Sequence, residues 1–170
     1  MKTAVASRLA YAAAASAILL WAPVARPAPR VGLPGAVAIG ALIGALVFLL
    51  LARRVPPPSR ALVVAVPVVV LAAACEEIVW RFAVFGALRP SVGTPAALLA
   101  STVAFAAAHV GGGTPRIAAH LVTGAAFGGA YIVTNRLAAP IAAHVLYNLL
   151  VVAACAAWVE PPGAQPEPAR

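Results

Sequence analysis

Apolar residues run along the chain in six long stretches, each close to the roughly 20 residues that a helix needs to cross a bilayer core. Clusters of arginine, proline and glycine separate the stretches, and such clusters end helices and carry charge that prefers the membrane interface. The pattern predicts an all-α fold, a polytopic membrane helix bundle of about six transmembrane helices. The predicted spans are residues 9–25, 32–52, 61–88, 95–110, 117–131 and 137–159.

The predicted spans fall into two groups, followed by a short tail. Residues 1–60 hold two spans, residues 61–159 hold a core of four spans, and residues 160–170 contain four prolines and are expected to be disordered. Lys2 and Arg8 precede the first apolar stretch, as they would in a signal peptide, but no clear small-x-small cleavage site follows. We therefore expect the first span to be retained.

The composition agrees with a membrane protein. Hydrophobic residues make up 64% of the chain and charged residues only 9%, whereas about a quarter of a typical soluble domain is charged. The net charge of +8 does not indicate a nucleic-acid partner, because the arginines stand singly or in pairs between apolar stretches, where topology explains them. Cys75 and Cys155 are too few for a disulfide framework or a four-cysteine metal site, and we expect both to be packing residues.

The basic residues also predict an orientation, because cytoplasmic loops of membrane proteins are enriched in Lys and Arg. With six spans, seven basic residues fall on one side of the membrane and four on the other, which favours cytoplasmic termini. The larger group is Lys2, Arg8, Arg53, Arg54, Arg60, Arg116 and Arg170, and the smaller group is Arg26, Arg30, Arg89 and Arg136.

Small residues at four-residue spacing predict close helix contacts. Gly40 and Gly44 form one such pair, and Gly124 and Gly128 form another. In lipid, small residues let two helix backbones approach closely. We expect both pairs to serve packing.

Six ionisable side chains lie inside the apolar stretches, where each costs several kcal/mol unless it is paired or reaches water. Two of them, Glu76 and Glu77, stand side by side in the third predicted span and make up half of the acidic residues of the chain. Such a pair is hard to explain by stability and therefore indicates function. The full set is Glu76, Glu77, Arg81, His109, His120 and His144.

Helix geometry assigns the two glutamates different tasks. Glu77 and Arg81 are four residues apart with the acid first, so they share a helix face in the favourable order for an ion pair. Glu76 points about 100° away from that face and has no local cation. We predict that Glu77 and Arg81 form a structural pair and that Glu76 is free to act as a general base.

Two further four-residue spacings bring polar side chains together. Phe105 and His109 share one face near the end of the fourth span, and His144 and Asn148 share a face of the sixth. The imidazole and carboxamide of the latter pair could act as two neutral donors to an oxyanion. His120 has no partner four residues on, and we expect an interfacial or packing role for it.

A carboxylate on one helix, a histidine on a second and a histidine plus an amide on a third could activate a water and stabilise the tetrahedral species of amide hydrolysis. The sequence has no serine in a nucleophile elbow, no HExxH motif and no second acid for an aspartyl-type dyad. These residues indicate a protease that cuts at membrane depth.

The three motifs resemble those of the CAAX-protease and bacteriocin-processing membrane proteases, the CPBP or ABI family, which includes the Ras-converting CAAX endopeptidase. That family has GluGlu-xxx-Arg, Phe-xxx-His and His-xxx-Asn on successive core helices. The same motifs occur here in the same order, and the resemblance covers about residues 61–155. The matching residues are Glu76, Glu77 and Arg81, then Phe105 and His109, then His144 and Asn148.

The resemblance implies a glutamic-type endopeptidase whose substrate is a membrane-associated peptide or protein. It implies that Glu76 and His109 activate the water and that His144 and Asn148 stabilise the oxyanion. The remaining motif residues, Glu77, Arg81 and Phe105, would support the site, and residues 61–159 would be the catalytic core. The composition is typical of a high-GC bacterium, so we expect the bacterial inner membrane and consider a prenylated substrate less favoured than a bacterial peptide or sorting tail.

The resemblance does not decide whether hydrolysis uses a metal ion. We favour hydrolysis without a cofactor, but Glu76, His109 and His144 could chemically ligate zinc. A proton- or metal-coupled transporter would also bury glutamate and histidine, although the chain shows no repeated halves with broken spans. A catalytically silent immunity or scaffold protein is the remaining alternative.

Overall fold

The computed structural model describes residues 10–11, 13–18, 28–52, 60–109 and 114–157. Every regular element in these ranges is a helix, which confirms the predicted all-α fold. The first helix, α1, is described at residues 10–11 and 13–18. The others are α2 (Leu33–Ala52), α3 (Arg60–Glu77), a π-helical segment (Ile78–Phe85), α4 (Gly86–Ala107), α5 (Thr114–Thr134) and α6 (Ala138–Ala157).

Three helical stretches of the described chain are long and apolar enough to cross a membrane, namely Leu33–Ala52, Ile117–Thr134 and Ala138–Cys155. They correspond to the second, fifth and sixth predicted spans. The count of six spans and the division at residue 60 therefore stay predictions. The expected tail, residues 160–170, lies outside the described residues.

The third predicted span continues further than the sequence indicates. The π-helical segment joins α3 directly to α4, and the helix runs past the expected end at residue 88 to a kink at Gly93. Gly93 has φ 79° and ψ 167°, a conformation that glycine adopts without the steric cost that a Cβ imposes. The break thus falls at the glycine of the ArgProSerValGly cluster, and Pro90 lies inside the helix.

Close contact between α2 and α6 confirms the packing role predicted for Gly40 and Gly44. A Cβ on Gly40 would meet the carbonyl oxygen of Ala139, and one on Gly44 would meet that of Ala143. The two backbones therefore touch along one turn of each helix, as small residues allow in a membrane bundle.

The second glycine pair packs α5 against α4 and the π-helical segment. A Cβ on Gly124 would lie 3.1 Å from Cδ1 of Phe105, and one on Gly128 would meet Leu98 and approach Nε of Arg81. These glycines leave room for the aromatic ring and the guanidinium beside the site. Of the two cysteines, Cys75 is buried as expected, but Cys155 is exposed, which does not support the packing role expected for it.

Polar contacts tie the start of α2 to the turn between α5 and α6. Nη1 of Arg30 donates to the carbonyl of Ile132 at 3.1 Å, and Nε of Arg136 donates to the carbonyl of Val31 at 2.6 Å. Arg30 and Arg136 therefore lie at the same end of the bundle, which agrees with their assignment to one side of the membrane. Which end faces the cytoplasm stays a prediction.

Candidate active site

A cavity of about 180 Å³ lies between α3, α4, α5 and α6. It has room for several waters, since a water occupies about 30 Å³ of liquid. Five residues that the sequence singles out line it: Glu76, Phe105, His109, His144 and Asn148. The lining also includes His120, Thr123, Phe127 and Tyr147.

Glu76 faces two histidines from two other helices. Its Oε2 lies 3.6 Å from Nε2 of His109 and 3.9 Å from Nε2 of His144. The Glu76 side chain is 17% exposed, so it reaches the cavity while most of its surface is covered. Both distances exceed a direct hydrogen bond but suit an ion pair to a protonated ring or contact through a water.

Glu77 points away from the cavity and is fully buried. Its Oε2 lies 3.1 Å from Nε of Arg81, which confirms the predicted ion pair. Its Oε1 accepts a hydrogen bond from Nδ1 of His144 at 2.8 Å, a contact between α3 and α6 that the sequence did not predict. Glu77 therefore joins the permanently charged Arg81 to a histidine of the site.

The contact with Glu77 fixes the tautomer of His144. A carboxylate paired with arginine accepts hydrogen bonds, so Nδ1 of His144 carries a hydrogen. In the neutral imidazole, Nε2 then has a lone pair and accepts. The sequence interpretation treated His144 as a neutral donor to an oxyanion, but Nε2 becomes a donor only when the ring takes a second proton.

His109 is held in a similar way from its own helix. Its Nδ1 donates to the backbone carbonyl of Phe105 at 2.8 Å, and this leaves Nε2 facing Glu76.

Phe105 is the aromatic centre of the site and is buried. The centroid of its ring lies 4.7 Å from that of His109 and 6.2 Å from that of His144, and the guanidinium carbon of Arg81 lies 5.2 Å from it. The ring thus lies beside the buried Arg81 and beside both of these histidines.

Four residues of the cavity lining lie outside the predicted site, namely His120, Thr123, Phe127 and Tyr147. His120 was expected to have an interfacial or packing role, but its ring stacks on His109 at 4.4 Å between centroids, with 29° between the planes. Phe127 stacks on His144 at 5.0 Å and 30°. The signal for His120 was its place among the six ionisable residues of the apolar stretches, since such a residue in a span indicates a functional position.

The alternative zinc set, Glu76, His109 and His144, stays untested. Within the described residues, no group of three or more His, Cys, Asp or Glu side chains is arranged to hold a metal ion. Nδ1 of His109 and Nδ1 of His144 are engaged by Phe105 and Glu77, whereas Nε2 of each ring faces Glu76. Independence from metal stays a prediction.

The family model for type II CAAX prenyl endopeptidase Rce1-like proteins matches residues 58–150, more than half of the chain. The chain belongs to the Rce1-like family. The match contains all three motifs, and it confirms the resemblance expected for residues 61–155. Comparison with the curated proteins and with the solved structures gave no match.

Membership of the Rce1-like family favours the protease over the transporter, and the catalytically silent alternative stays open. By its family, this Rce1-like protein is a CAAX-protease-type intramembrane endopeptidase, a hydrolase rather than a transporter. Its substrate is a peptide or protein at the membrane, and its apolar helices make it a multi-pass membrane protein. The roles of individual residues stay predictions.

Proposed function

We propose that the protein hydrolyses a peptide bond with a water activated by Glu76 and His109, without a metal. The observation that carries the proposal is the approach of Glu76 to His109 and His144 across the cavity, at 3.6 and 3.9 Å. The three side chains come from α3, from the turn that follows α4 and from α6, and the cavity that they line is large enough for water.

The first step forms a bond between the water oxygen and the carbonyl carbon of the substrate. Glu76 takes a proton from the water, His109 orients the water through Nε2, and the electron pair of the carbonyl double bond moves to its oxygen. A neutral His109 suits this task, because its Nε2 then accepts a hydrogen bond from the water.

The second step stabilises the oxyanion and releases the amine. Asn148 donates from its carboxamide, and His144 donates once Glu76 has passed the proton to its Nε2. The carboxylate of Glu77 stabilises the resulting imidazolium, as a buried acid does for a catalytic histidine. The electron pair of the oxyanion then re-forms the carbonyl double bond, the carbon–nitrogen bond breaks with its electron pair on the nitrogen, and His144 gives its Nε2 proton to the leaving amine.

The place of the cavity in the bundle supports cleavage near one face of the membrane. His109 lies two residues beyond the last residue of α4, and His120 lies in the second turn of α5. We assign the protein to the inner membrane of a bacterium with cytoplasmic termini, which puts the junction of α4 and α5 on the cytoplasmic side.

The proposal is tested with purified protein in lipid nanodiscs and two quenched fluorescent peptides that end in a CAAX sequence, one farnesylated and one unmodified. We expect the wild type to cleave at least one of them and Glu76→Gln to cleave neither. Glu160→Gln is a matched control, because it removes a carboxylate outside the family match. Full activity of Glu76→Gln would overturn the mechanism.

Natural substrates can be identified by terminal sequencing of membrane proteins from cells that express either the wild type or Glu76→Gln. Cells that express the wild type should contain new peptide ends that are missing from cells with Glu76→Gln. Identical ends in both, together with two uncleaved peptides, would favour a silent scaffold or immunity protein.

A further inference from the structure

We propose that His120 is a positioning residue that holds the imidazole of His109 against Glu76 by ring stacking. The inference rests on the proposed role of His109 in activating water. His120 lies on α5, outside the three motifs, and its ring contacts that of His109 more closely than any other ring does, at 4.4 Å between centroids.

His109 needs such support because its backbone lies outside regular helix. It stands in a turn two residues after α4 ends, with its N–H donating to the carbonyl of Ala106 at 3.0 Å. Three consecutive glycines follow at positions 111–113. The helix therefore fixes the Cα of His109 less firmly than it fixes His144, which lies inside α6.

The rings of Phe105, His109 and His120 each contact the other two. The ring centroids of Phe105 and His109 lie 4.7 Å apart, with 49° between the ring planes. Phe105 and His120 meet edge to face, with 5.8 Å between the centroids and 77° between the planes. Phe105 also supplies the carbonyl that accepts from Nδ1 of His109. Rotation of the His109 ring away from Glu76 would break the stack on His120 and this hydrogen bond together.

The expected benefit is catalytic because the position of Nε2 of His109 decides where the water lies. A displacement of a reacting group by about 1 Å can lower a rate by about a hundredfold. A flat ring at position 120 is what the stack requires, so another aromatic residue should serve in place of histidine.

The test compares His120→Ala with His120→Phe in nanodiscs, using whichever CAAX peptide the wild type cleaves. We expect His120→Ala to lower kcat by about tenfold or more with KM unchanged, and His120→Phe to retain kcat within about threefold. Val122→Ala, which changes a lipid-exposed residue of the same helix, should behave like the wild type. Wild-type kcat in His120→Ala, or a loss in His120→Phe equal to that in His120→Ala, would overturn the proposal.

A second measurement needs no substrate and separates this proposal from the proposed function. The protein contains only three histidines, so the ring ¹⁵N signals of labelled protein can be assigned by His109→Gln and His144→Gln. We expect the His109 signals to shift and broaden in His120→Ala and to stay near their wild-type positions in His120→Phe. Unchanged His109 signals in His120→Ala would overturn the positioning role, whether or not Glu76 proves to be the base.

Discussion

Oε1 of Glu77 accepts a hydrogen bond from Nδ1 of His144 at 2.8 Å, across the interface of α3 and α6. The same carboxylate pairs with Arg81, and all three side chains are buried. The second glutamate of the motif is therefore connected to the site through a histidine, whereas Glu76 reaches the cavity directly. The two adjacent acids should respond differently to the same substitution.

Glu76→Gln and Glu77→Gln should separate activity from stability. Glu76→Gln should abolish cleavage and leave the melting temperature nearly unchanged, because Glu76 borders the cavity and its ion-pair contacts among the described residues are with His109 and His144. Glu77→Gln should lower the free energy of unfolding by about 3–5 kcal/mol, because it leaves the charge of Arg81 buried without its partner. Thermal unfolding in detergent, measured beside peptide cleavage, checks both. Equal stability of the two variants would contradict the role assigned to Glu77.

His144→Asn should lose activity while keeping its fold. The Asn carboxamide can still donate toward Oε1 of Glu77 from a position close to Nδ1, but it has no atom in place of Nε2. We expect kcat to fall by about a hundredfold or more, the range typical of a lost general acid or base. His144→Phe is the comparison, because it removes both nitrogens and should also lower the melting temperature. Cleavage by His144→Asn at the wild-type rate would refute the proton transfer through Nε2.

Chelation should not change the rate of cleavage. Glu76, His109 and His144 act in the proposed mechanism as a base, a water-orienting group and a proton carrier, so no step needs a metal. Incubation of the purified protein with 1,10-phenanthroline, followed by peptide cleavage and metal analysis, checks this. Loss of activity that added zinc restores would instead support the zinc set.

Gly40→Ala and Gly129→Ala form a matched pair for the packing of α2 on α6. A methyl group at position 40 would meet the carbonyl oxygen of Ala139, whereas one at position 129 has no neighbour within 4 Å. Gly40→Ala should lower the free energy of unfolding by about 1–3 kcal/mol, the usual cost of overpacking. Gly129→Ala should be neutral or stabilising by up to about 1 kcal/mol, because alanine favours the helix. Equal unfolding curves would contradict the close contact.

Local spacing predicted the contacts that lie within one helix. The pair of Glu77 and Arg81 follows from a separation of four residues, which puts both side chains on one face whatever surrounds the helix. The glycine pairs were predictable for the same reason, because small residues at this spacing mark a close helix contact. The all-helical fold follows from the lengths of the apolar stretches.

Contacts between helices could not be predicted from spacing alone. His144 and Glu77 are 67 positions apart, and their meeting depends on how α3 and α6 are rotated against each other. The stack of His120 on His109 likewise depends on the approach of α5 to α4, which Gly124 permits beside Phe105. Family motifs brought Glu76, His109 and His144 together in the interpretation, but His120 lies outside those motifs and was therefore missed.

The π-helical segment Ile78–Phe85 begins immediately after the two glutamates. In a π-helical segment the backbone hydrogen bonds join residues five apart instead of four apart. Such segments are rare and often occur at functional sites. The wide turns of the segment take up an extra residue, so removing one residue here would let it close into an ordinary α-helix while the residues after it keep nearly the same face relative to Glu76. A single-residue deletion late in this segment should therefore disturb the helix beyond it less than the same deletion in an ordinary α-helix such as α6, where it would turn every later side chain by about 100°.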